Sequence, residues 1–183
     1  MKLGTHNSMT YLKPKHWYMY PFRFMAKCQS LSIEEQYKYG VRHFDLRITF
    51  DKDGTPEFRH GIMTYKGDVY TALEYLNSIP EPVYCKFWLE LNKSDERQER
   101  LFTYYCEIFE KHYRNIRFYG GRNKIGTVLY NFSNSEPKHV ACFASLQRPL
   151  FDDLWPWLYA KRYNKRAKQE CPKDLLILDY VQL

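Results

Sequence analysis

The sequence predicts an α/β fold: a compact, irregular TIM-type (β/α) barrel with some helices missing, in one domain over residues 1–183. Three observations carry this expectation. Strand-like and helix-like runs alternate along the chain. The length of 183 residues suits a single domain, which commonly runs to ~100–200 residues. Repeats and low-complexity linkers that would mark a second domain are absent from the sequence. Hydrophobic residues at 44% beside charged residues at 27% give the balance of a globular chain, not a disordered one. No apolar run approaches the ~20 residues that a membrane-spanning helix needs.

Taken in order, Lys2–His6, Val41–Thr49, Glu57–Gly61, Val83–Leu91, Ile116–Tyr119, Thr127–Phe132, His139–Leu146 and Leu175–Val181 read as strands. Helical patterning covers Ser32–Tyr39, Asp68–Ser78, Ser94–Arg114 and about Asp153–Glu170. Ser32 with Glu35 fits a capping box, and Asp68 and Ser94 fit N-caps. This alternation favours a parallel barrel over a sandwich. Two connections are too short for a crossover helix. Gly120-Gly121-Arg122-Asn123 is one, and Asp51-Lys52-Asp53-Gly54 is the other. The latter suits a hairpin, with Glu57–Gly61 as the return arm of an extended second strand. Barrels of this type typically take ~250 residues, so an irregular version is expected.

Strand parity separates the side chains. In Val41–Thr49, residues Phe44, Leu46 and Ile48 share one face, and His43, Asp45 and Arg47 share the other. The apolar face should pack on outer helices, which turns the polar trio into the barrel with Arg47 nearest its C-terminal mouth. The same parity puts Lys86, Trp88 and Glu90 inside. His6 ends the first strand and Asp179 lies near the end of the last. Barrel active sites sit at that mouth. His6, Asn7, Asp45, Arg47, Glu90 and Asp179 are therefore expected to converge there.

Phosphoryl transfer needs a group that takes a proton from the nucleophile, another that protonates the leaving group, and a cation against the phosphate oxygens. His6, His60 and Arg47 supply two imidazoles and a guanidinium, the right chemistry near neutral pH. At these residues the sequence also resembles a known family. Leu3-Gly4-Thr5-His6-Asn7-Ser8, Ile33-Glu34-Glu35-Gln36, Gly40-Val41-Arg42-His43-Phe44-Asp45-Leu46-Arg47 and His60-Gly61 are similar, in order and spacing, to the X region of phosphatidylinositol-specific phospholipases C. The clear match covers about residues 2–92, and Leu176-Ile177-Leu178-Asp179-Tyr180 is consistent with a closing strand.

The resemblance implies a phosphodiesterase in which His6 is the general base, His60 the general acid and Arg47 the phosphate clamp. Asp179 would orient His6, and Asp45 and Asn7 would bind phosphate-adjacent groups or Arg47 itself. Lys86 and Glu90 are further candidates for substrate binding. The implied reaction is attack by an inositol hydroxyl on its own phosphate, giving a cyclic phosphate and diacylglycerol. On metal, the sequence departs from both branches of the family. Asn7, Asp45 and Glu90 match calcium ligands of the calcium-dependent forms, whereas Arg47 matches the metal-free bacterial forms. A fixed charge at Arg47 would repel a divalent ion, so no cofactor is expected, with calcium on Asn7, Asp45 and Glu90 as the alternative.

The net charge of +7 arises in two places, residues 1–50 and 161–173, each carrying +5. Tyr11–Lys27 interleaves bases with Trp17, Tyr18, Phe22 and Phe24. This segment is expected either to touch an anionic membrane or to close over the barrel as a lid. Lys161, Arg162, Lys165, Arg166 and Lys168 form a solvated helix face or a phosphate-attracting patch. No motif for specific nucleic-acid binding is present. The five cysteines have no zinc spacing and are expected as reduced, mostly buried thiols. The start of the sequence has no leader pattern, so a cytoplasmic location with peripheral membrane contact is the expectation; removal of a leader would instead imply a secreted parent. The expected partner is a phospholipid or another phosphodiester. The competing functions are turnover of a soluble phosphodiester, such as a cyclic nucleotide or glycerophosphodiester, and non-catalytic binding of anionic lipid.

Overall fold

The computed structural model describes residues 2–91, 93–138, 140–142, 155–170 and 174–183. Six parallel strands form its frame: β1 (Lys2–Thr5), β2 (Val41–Phe50), β5 (Val83–Leu89), β6 (Ile116–Asn123), β7 (Val140–Cys142) and β8 (Leu175–Leu178). They pair in the order β7-β8-β1-β2-β5-β6. Among the described residues no ladder joins β6 to β7, so the barrel is irregular and not closed. The far half of β2 turns back as a hairpin, with β3 (Pro56–His60) antiparallel to it and β4 (Met63–Thr64) antiparallel to β3. Asp51-Lys52-Asp53-Gly54 makes the turn, and Asp51 Oδ1 accepts the amides of Asp53 and Thr55 at 2.9 Å each.

Helices supply four of the crossovers. A 3-10 helix (Trp17–Phe22), α1 (Arg23–Ala26) and α2 (Ile33–Lys38) link β1 to β2. Next come α3 (Val69–Ser78) before β5 and α4 (Glu96–His112) before β6, and α5 (Pro156–Glu170) lies between β7 and β8. Ser32 caps α2 in a reciprocal box with Glu35. Asp68 caps α3 by accepting from the amides of Tyr70 and Thr71. The cap of α4 is Asp95, one residue beyond the expected Ser94, and it accepts from Gln98 N. Ser94 instead donates to Glu99 Oε1 at 2.9 Å. Tyr11–Lys27 contains the 3-10 helix and α1.

Thr127–Phe132 is not a strand. Its single bridge joins Arg122 to Val128, and the amides of Leu129 and Tyr130 both bond Gly121 O. Tyr130 and Phe132 still pack on the core, which explains the strand-like composition. Of the expected strand His139–Leu146, only Val140–Cys142 falls within the described residues, and the stretch from Asp153 to Leu154 lies outside them.

The hydrophobic core lies outside the barrel, between the sheet and α3 and α4, as parity requires. Phe44, Leu46 and Ile48 are fully buried there with Phe87, whose ring stands 5.6 Å from Phe102, 5.8 Å from Phe109 and 5.7 Å from Phe118. Truncating so enclosed a phenylalanine to alanine costs about 3–5 kcal/mol. The interior holds polar side chains. Gly4 makes room for them, because a Cβ there would stand 3.0 Å from the Cβ of His43. At Gly120 (φ +99°) a Cβ would meet Trp88 Nε1 at 2.7 Å, so the register slip between β5 and β6 depends on that glycine.

His43 closes the lower end, buried and stacked on Tyr84 at 4.4 Å. Burial, with Lys2 nearby, pushes its pKa down to about 4. The unfolded chain therefore binds a proton that the folded chain refuses. This contribution is fully present above pH ~6.5 and is lost as pH falls toward ~4, amounting to about 3 kcal/mol. Urea unfolding should show the stability difference between wild type and His43→Asn shrinking by about that amount across this window. A gap that stays constant with pH would refute the assignment.

Candidate active site at the barrel mouth

The site is assembled at the C-terminal ends of β1, β2, β5 and β8 and the hairpin. His6 follows β1 and Asp179 follows β8; pairing of Thr5 with Leu178 brings them together. His6 Nδ1 donates to Asp179 Oδ1 at 2.8 Å. Arg47 Nη2 donates to His6 Nε2 at 2.9 Å, and Asn7 Nδ2 lies 3.1 Å from the same nitrogen. A carboxylate only accepts and a guanidinium only donates, so the proton of His6 is on Nδ1 and a lone pair is on Nε2. The residues after both partners are strained: Asn7 has φ 46° and Tyr180 φ 43°.

Arg47 is the hub. Its Nε lies 3.1 Å and its Nη2 3.0 Å from Asp45 Oδ2, and Nη1 donates to Glu90 Oε2 at 3.2 Å. Burial alone would weaken its charge, but Asp45 and Glu90 more than offset this and hold it protonated. Asp45, despite burial, is kept ionised by Arg47, Lys86 and His6. Glu90 is fully buried, and burial opposes its charge; Arg47, the Gly61 amide at 3.0 Å and Lys124 at 3.1 Å lower its pKa. These two carboxylates are spent on Arg47 and its neighbours. They do not fit a calcium ion, which needs six to eight available oxygens.

His60, at the end of β3, stands with its ring 6.0 Å from that of His6 at an angle of 82°. Its Nδ1 donates to Ala26 O at 2.9 Å, an oxygen that also accepts from Tyr65 Oη at 3.2 Å. Nε2 of His60 is thereby the nitrogen left for a ligand. Burial, then the charges of His6 and Arg47, pull its pKa down to about 4 against the bond to Ala26.

The structure thus brings His6, Asn7, Asp45, Arg47, His60, Glu90 and Asp179 together. It sets Lys86 apart: Lys86 pairs in register with Asp45, one step deeper than Arg47, and its Nζ lies 3.8 Å over the Trp88 ring. Trp17, Tyr18, Phe22 and Phe24 stand exposed on the rim.

Sequence reasoning missed the residues that hold this array. Ser8 Oγ accepts the Asp45 amide at 2.8 Å. Gln29 Nε2 bonds His6 O at 3.1 Å and Leu178 O at 2.8 Å, tying β1 to β8. Asn164, on α5, bonds Asp179 O at 2.7 Å and Tyr180 O at 3.0 Å. Ser8 ends the motif that holds His6, whereas Gln29 and Asn164 sit in none. The one available signal was a polar residue in the buried stripe of α5.

No protein-family model and no curated protein matches the sequence. Solved structures do match over nearly the whole chain. Phosphatidylinositol-specific phospholipase C from Listeria monocytogenes aligns with 98% of this chain and 87% of its own, at 15% identity and a TM-score of 0.68. A variant of the Staphylococcus aureus enzyme aligns with 98% of this chain and 84% of its own, at 15% identity and a TM-score of 0.64. A further S. aureus structure, concerned with modulation of that enzyme's membrane binding, covers 96% of this chain and 70% of its own at a TM-score of 0.53. The chain has a phosphatidylinositol-specific phospholipase C-like fold.

Proposed function

We propose that this protein is a phosphodiesterase that cleaves a phosphatidylinositol-type lipid by His/His acid–base catalysis and forms a cyclic phosphate. The observation that carries the reading is the pair of imidazoles with opposite-facing duties, His6 and His60, 6.0 Å apart beside one guanidinium. His6 Nε2 takes the proton of an inositol hydroxyl, and that oxygen attacks phosphorus. His60 Nε2 gives a proton to the departing oxygen of diacylglycerol. Arg47 Nη2 moves its donor from His6 to a phosphate oxygen, which frees the lone pair of the base as substrate binds. Asp179 fixes the tautomer and supports the imidazolium that forms. Free His60 is neutral at pH 7, and the negative phosphate favours its protonated form, so substrate arms the acid.

The rim supports a lipid substrate. The 3-10 helix buries only Met19, and Trp17 is 83% and Phe22 54% exposed. Trp155, just before α5, lies against Phe24, with ring centroids 5.4 Å apart. In the basic run of α5, Lys168 is occupied with the carbonyls of Val181 and Leu183. Among the described residues no helix is long and apolar enough to cross a membrane. Peripheral contact through the aromatic rim is the reading.

Release of cyclic phosphate from phosphatidylinositol vesicles, run beside soluble phosphodiesters, tests the function. Lipid turnover supports it; turnover of soluble esters alone moves the substrate to that class, and no turnover of either leaves a lipid-binding protein. Replacing Trp17 and Phe22 by Ala should weaken vesicle association at least ~10-fold, given about 1.5–3 kcal/mol per buried aromatic, and spare a short-chain soluble substrate. Equal losses on both substrates would make the segment a lid.

A further inference from the structure

Cys28 takes no part in this chemistry, yet it is buried against it. A ring nitrogen of His6, a carboxylate oxygen of Asp179 and Cys28 Sγ all lie within 4.8 Å of one another. His60 Nδ1 is 3.9 Å from the same sulfur. We propose that His6, Cys28 and Asp179 form a binding site for a thiophilic divalent cation, zinc foremost, with water as the fourth ligand.

The donor set is the first argument. One thiolate, imidazole nitrogen and a carboxylate suit zinc, whereas calcium and magnesium take oxygen alone. Geometry is the second. Tetrahedral zinc holds ligand atoms roughly 3–4 Å apart, so His6 Nδ1 and Asp179 Oδ1, bonded at 2.8 Å, part slightly as the ion takes the place of their shared proton, and Cys28 Sγ closes by about 1 Å. The third is preorganisation. Thr10 Oγ1 accepts the amides of Cys28 and Gln29 at 2.9 and 3.0 Å, and Tyr180 N donates to Cys28 O at 2.6 Å. The last bond locks the cysteine to the residue beside Asp179. Asn164 fixes the Asp179 backbone from the other side. Electrostatics is the fourth. Arg47 is already balanced by Asp45 and Glu90, while Asp179 and an ionised Cys28 face the ion with two negative charges.

On binding, the Cys28 thiol loses its proton to solvent, and the His6 proton moves from Nδ1 to Nε2, from which the Arg47 donor turns away. A metal-bound His6 can no longer carry a proton to and fro, so zinc switches the dyad off. That consequence, unlike the site, rests on the function proposed above. Cobalt(II) added to metal-free protein reports the site directly, through thiolate-to-metal charge-transfer absorption. The band should form in wild type, be displaced by zinc, persist in Cys106→Ser and vanish in Cys28→Ser. Cys28→Ala replaces the serine variant if circular dichroism shows that one unfolded. Asp179→Asn should weaken cobalt binding at least ~10-fold. A wild type without the band, or a band that survives loss of Cys28, overturns the site. Zinc should inhibit phosphodiester turnover in wild type and not in Cys28→Ser, each relative to its own metal-free rate. A Cys28-dependent band with turnover untouched by zinc would keep the site and overturn His6 as the base.

Discussion

Replacing His60 by alanine is expected to cut cyclic phosphate release by at least ~10², and His6→Ala should do at least as much. Both losses should fall mainly on kcat. Neither imidazole anchors the fold: His6 is reached from the mouth, and His60 holds one carbonyl. The variants should therefore unfold near the wild-type denaturant midpoint. The pH profile separates them. With His60 depressed to about 4 in the free protein, its loss removes a group that must gain a proton as substrate binds, so wild-type binding should take up a proton at pH 7. Calorimetry of a non-hydrolysable phosphate analogue in buffers of different ionisation enthalpy measures that uptake, which should disappear in His60→Ala. A variant of either histidine that retains full turnover would remove that residue from the mechanism.

Arg47 carries the second large effect, on activity and stability together. Arg47→Lys should lose ~10²–10³ in turnover, because a single ammonium cannot span Asp45, Glu90 and a phosphate oxygen as the planar fork does. Arg47→Met takes the guanidinium from buried Asp45 and leaves Glu90 with Lys124 and the Gly61 amide, a change that costs about 3–5 kcal/mol. Asp45 and Glu90 then titrate higher, so the variant should be least impaired at acid pH, where both can be neutral. Urea midpoints at pH 5 and pH 7 measure this. Chelator should leave wild-type turnover intact, since Arg47 already occupies the carboxylates of Asp45 and Glu90. Strong chelator inhibition reversed by calcium would show that Asn7, Asp45 and Glu90 hold an ion despite it.

Much of this was legible from periodicity. Alternation along Val41–Thr49 separated Phe44, Leu46 and Ile48 from His43, Asp45 and Arg47, because a strand with a helix-covered face must sort its side chains by polarity every second residue. The Asp51–Gly54 turn identified the hairpin that delivers His60, since a four-residue link leaves no room for a crossover. The capping box at Ser32 fixed the start of α2 through two local hydrogen bonds. Each of these is settled by neighbours in the chain.

Tertiary structure alone decided the rest. His6 and Asp179 are 173 residues apart, and their bond exists because β1 and β8 pair in register. The Ala26 carbonyl reaches the site from the end of a four-residue helix, and Cys28 and Gln29 from the irregular segment after it, with no period to read. Thr127–Phe132 has the composition of a strand, but its amides turn back to Gly121 and no ladder forms. Side-chain chemistry and spacing specify which groups an element offers and on which face. Register between distant strands, and the closure of loops onto them, specify which groups meet, because those contacts depend on packing that no local window contains.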